Sequence, residues 1–514
     1  MKKISLFMVL IGFASVIASA QSQNTKIFTI FTSAGCGCTG SGGAPLTFTT
    51  HEMVLTELQK ACDRVDFIKW EGTYKAAYEE VESNIDSYDG VLIIGRISGD
   101  YRLAFTGLPT IVVYNLFEFM DSQPYYLFAT GDTDEESNIL KGGIDYKNVK
   151  ILTAQLDRRN VCAPSVRESM FKDLVYKIKL IQVIEVLKKT RILMVTNKKD
   201  ETIAEVNYRG DINQTFPRDH NERYTQNLKN LFGAEIVRVD AEEFYDTYEK
   251  INIRKAEEIA EKWITGARKV EASRSEIIKT ARGYLAHEAL REKYNCTAVS
   301  TYIRSVTGSG KLEDLYNPGL GLELGFKTRG IQAVCQNYPD ILISQVIAYL
   351  LVGRPSMLGD FIYDVDNSTE IVLHCGIPIN PYGDDRLIPY TIRTHAQSPV
   401  RDKPEVPGSS TGMTAEWPVG ETVTLWEVHS LNKTIRLNTG EIVDGHAIYT
   451  GGENIDNVMC TAKLIAKVDD AKKLQEQFKP YLWGIHTNAT FGDLRQQIKD
   501  IAILLGFDVI ETDR

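Results

Sequence analysis

The chain has 514 residues, 43% hydrophobic and 25% charged, values that exclude a largely disordered or collagen-like polymer. Its 58 Lys and Arg against 68 Asp and Glu leave a net charge of −10, which argues against nucleic acid as the main partner. Eight cysteines are too few for a disulfide scaffold, and a chain of this length buries a sizeable core without one.

Lys2 and Lys3 precede an uncharged apolar stretch, Ile4 to Ala18, and Ala18-Ser19-Ala20 follows as a small-x-small cleavage site. This order of features predicts a secretory signal peptide over residues 1–20 and an exported protein, periplasmic or extracellular. The apolar run is short for a membrane span, and no later segment is long enough, so no membrane contact is expected after cleavage. The scattered cysteines fit buried free thiols at least as well as disulfides.

An α/β rhythm follows. Strands are predicted at Lys26–Ser33, Val65–Trp70, Val91–Gly95, Thr110–Tyr114 and Val149–Leu156, with helices at about Thr50–Cys62 and Tyr74–Ile85. Short apolar runs such as VLIIG and TIVVY suit parallel strands covered on both faces. Pro164 opens a long helix whose Phe171, Leu174, Val175, Ile178 and Ile181 share one face. A second α/β unit begins at Arg191–Thr196 and continues through Glu235–Val239. Helical stretches at about Ala241–Thr265 and Glu271–Lys293 come next, then strands at Cys296–Thr301 and Ile331–Val334.

After about residue 360 the pattern changes to short strands separated by turn residues: Glu370–Cys375, Tyr390–Thr394, Thr422–His429 and Thr434–Leu437. Asn438-Thr439-Gly440 reads as a hairpin connection. The end reads as Trp483–Phe491, a helix from about Asp493 to Leu505, Gly506 as its cap, and a last strand, Phe507–Glu511. The Pro-, Ser- and Gly-rich stretch Gln397–Gly412 is the expected mobile loop. The predicted fold class is α/β: two doubly wound domains, 21–163 and 164–358, followed by a mostly antiparallel β domain, 359–514.

Gly35-Cys36-Gly37-Cys38-Thr39-Gly40 follows a strand and precedes a helix, as a dinucleotide fingerprint does. However, the loop runs on through Gly43 and Pro45, and only Glu71 follows near the end of the next strand. A plain glycine-rich loop is the simpler reading. An NAD(P)-dependent oxidoreductase stays as the least favoured function. Cys36-x-Cys38 alone is a weak metal signal.

The segment from Ile331 to Gly376 is more informative. A strand ends at Cys335-Gln336, Asp340 is placed to cap a helix, Gly353-Arg354-Pro355 stops it, and Gly359-Asp360 precedes the next strand. Gln336 and Asp360 thus lie at the two ends of one strand–helix–loop unit, although a lone Asp after Gly is ordinarily a turn residue.

Here the chain resembles the L-fucose isomerase family, with L-arabinose isomerases as more distant relatives. The family pattern is a Cys-Glu after a strand, a helix, a Pro, a Gly-(x)-Asp at a set distance, and a strand carrying His-Cys-Gly. Cys335-Gln336, Pro355, Gly359-Asp360 and His374-Cys375-Gly376 follow that order. A late histidine with a Gly and a helix behind it is matched by His486, Gly492 and the helix from Asp493. The resemblance spans about Gly319–Arg514. It implies aldose–ketose isomerisation through an enediol stabilised by a Mn²⁺-type cation. By resemblance Asp360 and His486 are metal ligands, Asp360 also carries a proton, and His374 is a further candidate ligand with a core histidine as its alternative. The resemblance also implies a small sugar or polyol as partner and a homo-oligomer. Glu323 and Trp417 are candidate substrate contacts, with a turn cap and sheet packing as their plain readings.

Two departures qualify this. The family's Glu is Gln336 here, which brings neither charge nor a base, and Tyr338 replaces an acid two positions later. Fucose and arabinose isomerases are also cytoplasmic. The alternative reading is therefore an exported sugar- or polyol-binding pseudoenzyme of the same fold. The site is expected where the second and third domains meet.

Overall fold

The computed structural model describes residues 24–31, 51–94, 101–115, 150–156, 164–196, 219–302, 317–383, 385–395, 410–449, 460–478 and 486–514. The predicted signal peptide, the loop carrying Cys36 and Cys38, and residues 397–409 of the expected mobile loop lie outside them. Among the described residues no helix is long and apolar enough to cross a membrane. The chain is an α/β protein whose contacts divide it into two compact units. One comprises Ala20–Val186 with Gln497–Asp508; among the described residues the other comprises Leu187–Gln496 with Val509–Arg514.

The first unit is built on five parallel strands: β1 (Thr25–Phe31), β2 (Val65–Trp70), β3 (Gly90–Ile94), β4 (Thr110–Asn115) and β5 (Ile151–Leu156). Their order in the sheet is β2-β1-β3-β4-β5. Helices α1 (His51–Ala61), α2 (Tyr74–Ser83) and α3 (Pro164–Leu187) accompany them. Every residue of β3 is buried, which is why it reads as an unbroken apolar run. Phe28, Val91, Ile93 and Val112 from three strands meet Ala77 and Val81 of α2 in one core.

In the second unit, β6 (Arg191–Thr196), β7 (Glu235–Asp240), β9 (Ala298–Thr301) and β10 (Ala333–Val334) form a parallel sheet ordered β10-β9-β6-β7. Its helices are α4 (His220–Phe232), α5 (Ala241–Lys250), α6 (Ile253–Gly266) and α7 (Arg274–Lys293), followed by α8 (Pro339–Val352). The single helix expected over Ala241–Thr265 is two, because Ile251 is extended and the Asn252 side chain caps a new start on the Arg254 amide. At α8 the cap position is Tyr338. Asp340, expected there, lies inside the first turn, and its Oδ2 accepts from the Ser430 amide at 3.2 Å.

The remaining strands are mostly antiparallel. β11 (Met357–Asp364), β12 (Thr369–His374), β15 (Thr422–His429), β16 (Thr434–Ile442), β17 (Ala462–Lys467) and β18 (His486–Phe491) pair in the ring β15-β18-β11-β12-β17-β16. A pairing of β15 with β16 closes it into a six-stranded barrel. Helix α9 (Ala471–Phe478) precedes β18, and α10 (Arg495–Leu505) follows it; β19 (Asp508–Glu511) then adds beside β16. A small sheet joins β13 (Tyr390–Thr394) to β14 (Thr411–Ala415) and to β8 (Lys269–Val270).

Two expected turns lie within strands. Asn438, Thr439 and Gly440 sit inside β16, opposite Leu425, Thr424 and Val423; the hairpin turns instead at Ser430–Lys433. Asn438 belongs in the strand because its amide donates to the buried Glu370 carboxylate at 2.8 Å. Gly359-Asp360 is likewise inside β11. A Cβ on Gly359 would collide with Val372 Cγ1 and stand 2.9 Å from the Leu373 nitrogen, so the glycine permits close approach of β12.

Candidate functional site

The candidate site lies in the second unit, at one end of the barrel strands β11, β12 and β18. Asp360 pairs with His486 across β11 and β18, so both side chains fall on the same sheet face. Asp360 Oδ1 and His486 Nε2 are 3.1 Å apart; the histidine is buried and the aspartate side chain 30% exposed. Burial is the main reason the His486 pKa falls to about 3, with Asp360 opposing it, so the imidazole is neutral at ordinary pH. The Tyr338 ring lies 4.4 Å from the His486 ring, and the His374 ring 5.7 Å from it. Tyr338 therefore packs against the late histidine.

His374 is the last residue of β12, and Cys375 follows in a bend. Cys335 comes from the other direction, just past β10. Its Sγ is 3.0 Å from His374 Nδ1. One donor atom from each of Cys335, His374 and Cys375 lies within 4.8 Å of the other two, and all three residues are buried. His395 Nε2 stands 3.3 Å from Cys375 Sγ. Hydrogen bonding from Cys335, together with the charges of His374 and His395, holds the Cys375 thiol well below its usual pKa against the effect of burial. Burial and the Cys375 partner push Cys335 the opposite way. Burial works against a charge on His374, yet Cys375, Asp360 and Glu323 together carry its pKa upward.

Glu323 lies on a π-helical turn, Leu322–Phe326, and is buried. Its Oε1 accepts from the fully buried Lys327 at 2.9 Å, while Oε2 has no hydrogen-bond partner. Burial raises its carboxyl pKa, with Lys327 and His374 pulling it down. Gln336 Oε1 is also a buried acceptor without a partner. Trp417 lies apart from these groups. Its indole N–H donates to the Pro378 carbonyl at 2.9 Å, its ring meets Phe491 edge-on, and it contributes to the wall of a cavity of about 340 Å³ that none of the other candidate residues lines.

The residues offer two kinds of donor. Asp360, His486 and the unpartnered Gln336 oxygen are oxygen and nitrogen donors of the type a Mn²⁺-type cation accepts, with one carboxylate in place of two. Cys335, His374 and Cys375 are softer. Among the described His, Cys, Asp and Glu residues, this is the one trio gathered closely enough to hold an ion. Sequence reasoning offered His374 as a candidate ligand but used the two cysteines only as motif neighbours; the available signal was that Cys335 and His374-Cys375 each end a strand. The buried pair Glu323–Lys327 carried no signal beyond its i, i+4 spacing. Cys62, Cys296, Cys335 and Cys375 are buried thiols outside any disulfide. No family model and no curated protein sequence matches the chain.

Proposed function

We propose that the chain is an exported member of the L-fucose and L-arabinose isomerase lineage, acting on a free aldose or ketose as a homo-oligomer. The architecture proposed with it is two doubly wound α/β domains, 21–163 and 164–358, followed by an antiparallel β domain, 359–514. The observation that carries the reading is the approach of Asp360 Oδ1 and His486 Nε2 to 3.1 Å from strands far apart in sequence.

The partly exposed Asp360 carboxylate can exchange a proton with a bound sugar. His486, neutral because it is buried, offers a lone pair. Gln336 presents a carbonyl oxygen and cannot accept a proton, so Asp360 is left to carry the proton between C1 and C2. A Mn²⁺-type cation, held by Asp360, His486 and Gln336 with His374 as a further candidate, would draw charge from two adjacent sugar oxygens. Glu323 is the candidate polar contact for a sugar hydroxyl. A second reading, a sugar- or polyol-binding protein without chemistry, is favoured by one residue: Gln336 stands where the second base is required.

Incubation with Mn²⁺ and a panel of pentoses and 6-deoxyhexoses in D₂O tests both. Deuterium at C2, lost by roughly 10²–10⁴-fold in Asp360→Asn, is the expected result. Sugar binding without exchange establishes the second reading. Neither binding nor exchange, or exchange that survives Asp360→Asn, removes the isomerase reading.

A further inference from the structure

We infer that Cys335, His374 and Cys375 form a site for a thiophilic divalent cation of the Zn²⁺ type, distinct in donor chemistry from the Asp360–His486 pair and taking His374, which then leaves the Mn²⁺-type cation to Asp360, His486 and Gln336. The three donor atoms come from two separate strand ends and already lie within 4.8 Å of one another. Zn²⁺ takes thiolate at about 2.3 Å and imidazole at about 2.0–2.1 Å, so tetrahedral ligands stand roughly 3.5–3.8 Å apart. The Cys335 Sγ–His374 Nδ1 spacing of 3.0 Å is a little under that value and every donor pair lies within 4.8 Å, so small side-chain rotations complete the site.

Local structure explains the convergence. Adjacent residues of a strand point to opposite faces, so His374 and Cys375 could not share an ion inside β12. The strand ends at His374, and the bend at Cys375 turns the second donor toward Cys335. Gly376, next along, lets the chain pass: a Cβ there would stand 2.8 Å from Glu323 Cγ. A second observation points to a ligand. Glu323 is 94% buried, interacts electrostatically with His374 and Cys375, and keeps Oε2 without a partner. The Lys327 ammonium satisfies Oε1 and offsets the carboxylate charge, so what stays costly is the second buried oxygen, an acceptor still open to a ligand at this cluster. Three protein ligands also leave a fourth position, the arrangement of zinc sites that bind a further ligand. A Cys335–Cys375 disulfide would consume the same sulfurs but gives His374 and Glu323 no part.

The test uses the full chain in a Cys36→Ser, Cys38→Ser background, so that the other closely spaced cysteines do not contribute. Expected results are one equivalent of Zn²⁺ retained through desalting and, with Co²⁺ in its place, a near-ultraviolet thiolate-to-cobalt band. Cys375→Ser and Cys335→Ser should abolish the band and weaken Zn²⁺ by more than the roughly 10–100-fold that loss of an outer-shell partner costs. Should either variant fail to fold, Zn²⁺ protection of both thiols from alkylation in the unaltered pair, read by peptide mapping, supports the site. Absence of protection overturns it. A Cys335–Cys375 linked peptide in a non-reducing digest, or a cobalt complex without the band, also overturns it. Asp360→Asn should keep the Zn²⁺ while losing sugar exchange, so the two readings fail separately.

Discussion

In the proposed isomerase reading, Gln336 is the residue on which the chemistry turns. Its buried oxygen lacks a partner, and replacing its amide with a carboxylate adds one negative charge to the ligand set proposed for the cation. Near a protein surface a unit charge in contact with a cation is worth a few kcal/mol before desolvation is subtracted. Gln336→Glu should therefore tighten Mn²⁺ by about 1–3 kcal/mol, roughly 5- to 150-fold in Kd, by isothermal titration. An unchanged Kd would take position 336 out of the site. Most of the motif residues were legible because they stand at or just past a strand end, where side chains are released from the alternation of the sheet; Asp360, inside β11, was legible only through the Gly before it. What could not be read was which of them meet. Cys335 and Cys375 are brought together by the approach of β10 to β12, and no local spacing encodes that approach. Trp417 carried the same ambiguity, and the Pro378 carbonyl that takes its N–H lies outside any motif.

At the scale of elements, the parallel strands were legible because two covered faces demand continuous apolar runs, and Arg191–Thr196 begins and ends where its pattern does. The barrel strands were harder because their interior is polar. Arg436 on β16 is fully buried, with its Nε 3.0 Å from Glu427, its Nη2 2.7 Å from Thr487 and its Nη1 3.0 Å from the Tyr363 hydroxyl. Glu370 lies 3.6 Å away and is buried too. A run such as Arg436-Leu437-Asn438-Thr439-Gly440 therefore looks like a strand fading into a turn, while the partners that satisfy it are on other strands. The same network ties β16 to β18 next to His486. Arg436→Met would leave Glu427 and Glu370 buried without their cation, a loss of about 3–5 kcal/mol. Urea unfolding followed by circular dichroism measures it; a variant within 1 kcal/mol of the parent, on the order of a surface substitution, would show that the network contributes little.

For the molecule as a whole, acid sensitivity follows from histidines that are buried while neutral. His287 on α7 is inaccessible, its Nδ1 2.9 Å from the Gly283 carbonyl and its ring 4.5 Å from Phe244. Burial, slightly opposed by that carbonyl, lowers its pKa from 6.5 to about 4. Between those values the unfolded chain binds a proton that the folded chain refuses, so stability rises with pH across the window. The full contribution is present above pH 6.5, and as pH falls to 4 about 3 kcal/mol is lost through this residue. His486 acts in the same direction down to about pH 3, whereas the buried Glu323, Asp340 and Glu370, with raised pKa values, act oppositely. The bare pH profile mixes these signs, and a difference between two proteins separates them. His287→Leu keeps an apolar side chain against Phe244 and removes one titration. Its stability should fall less than the parent's between pH 7 and pH 4, by about 3 kcal/mol, in parallel urea titrations at each pH. Curves that run parallel for the two proteins would mean that His287 titrates alike in the folded and unfolded chain, and that its burial does not govern the acid limb.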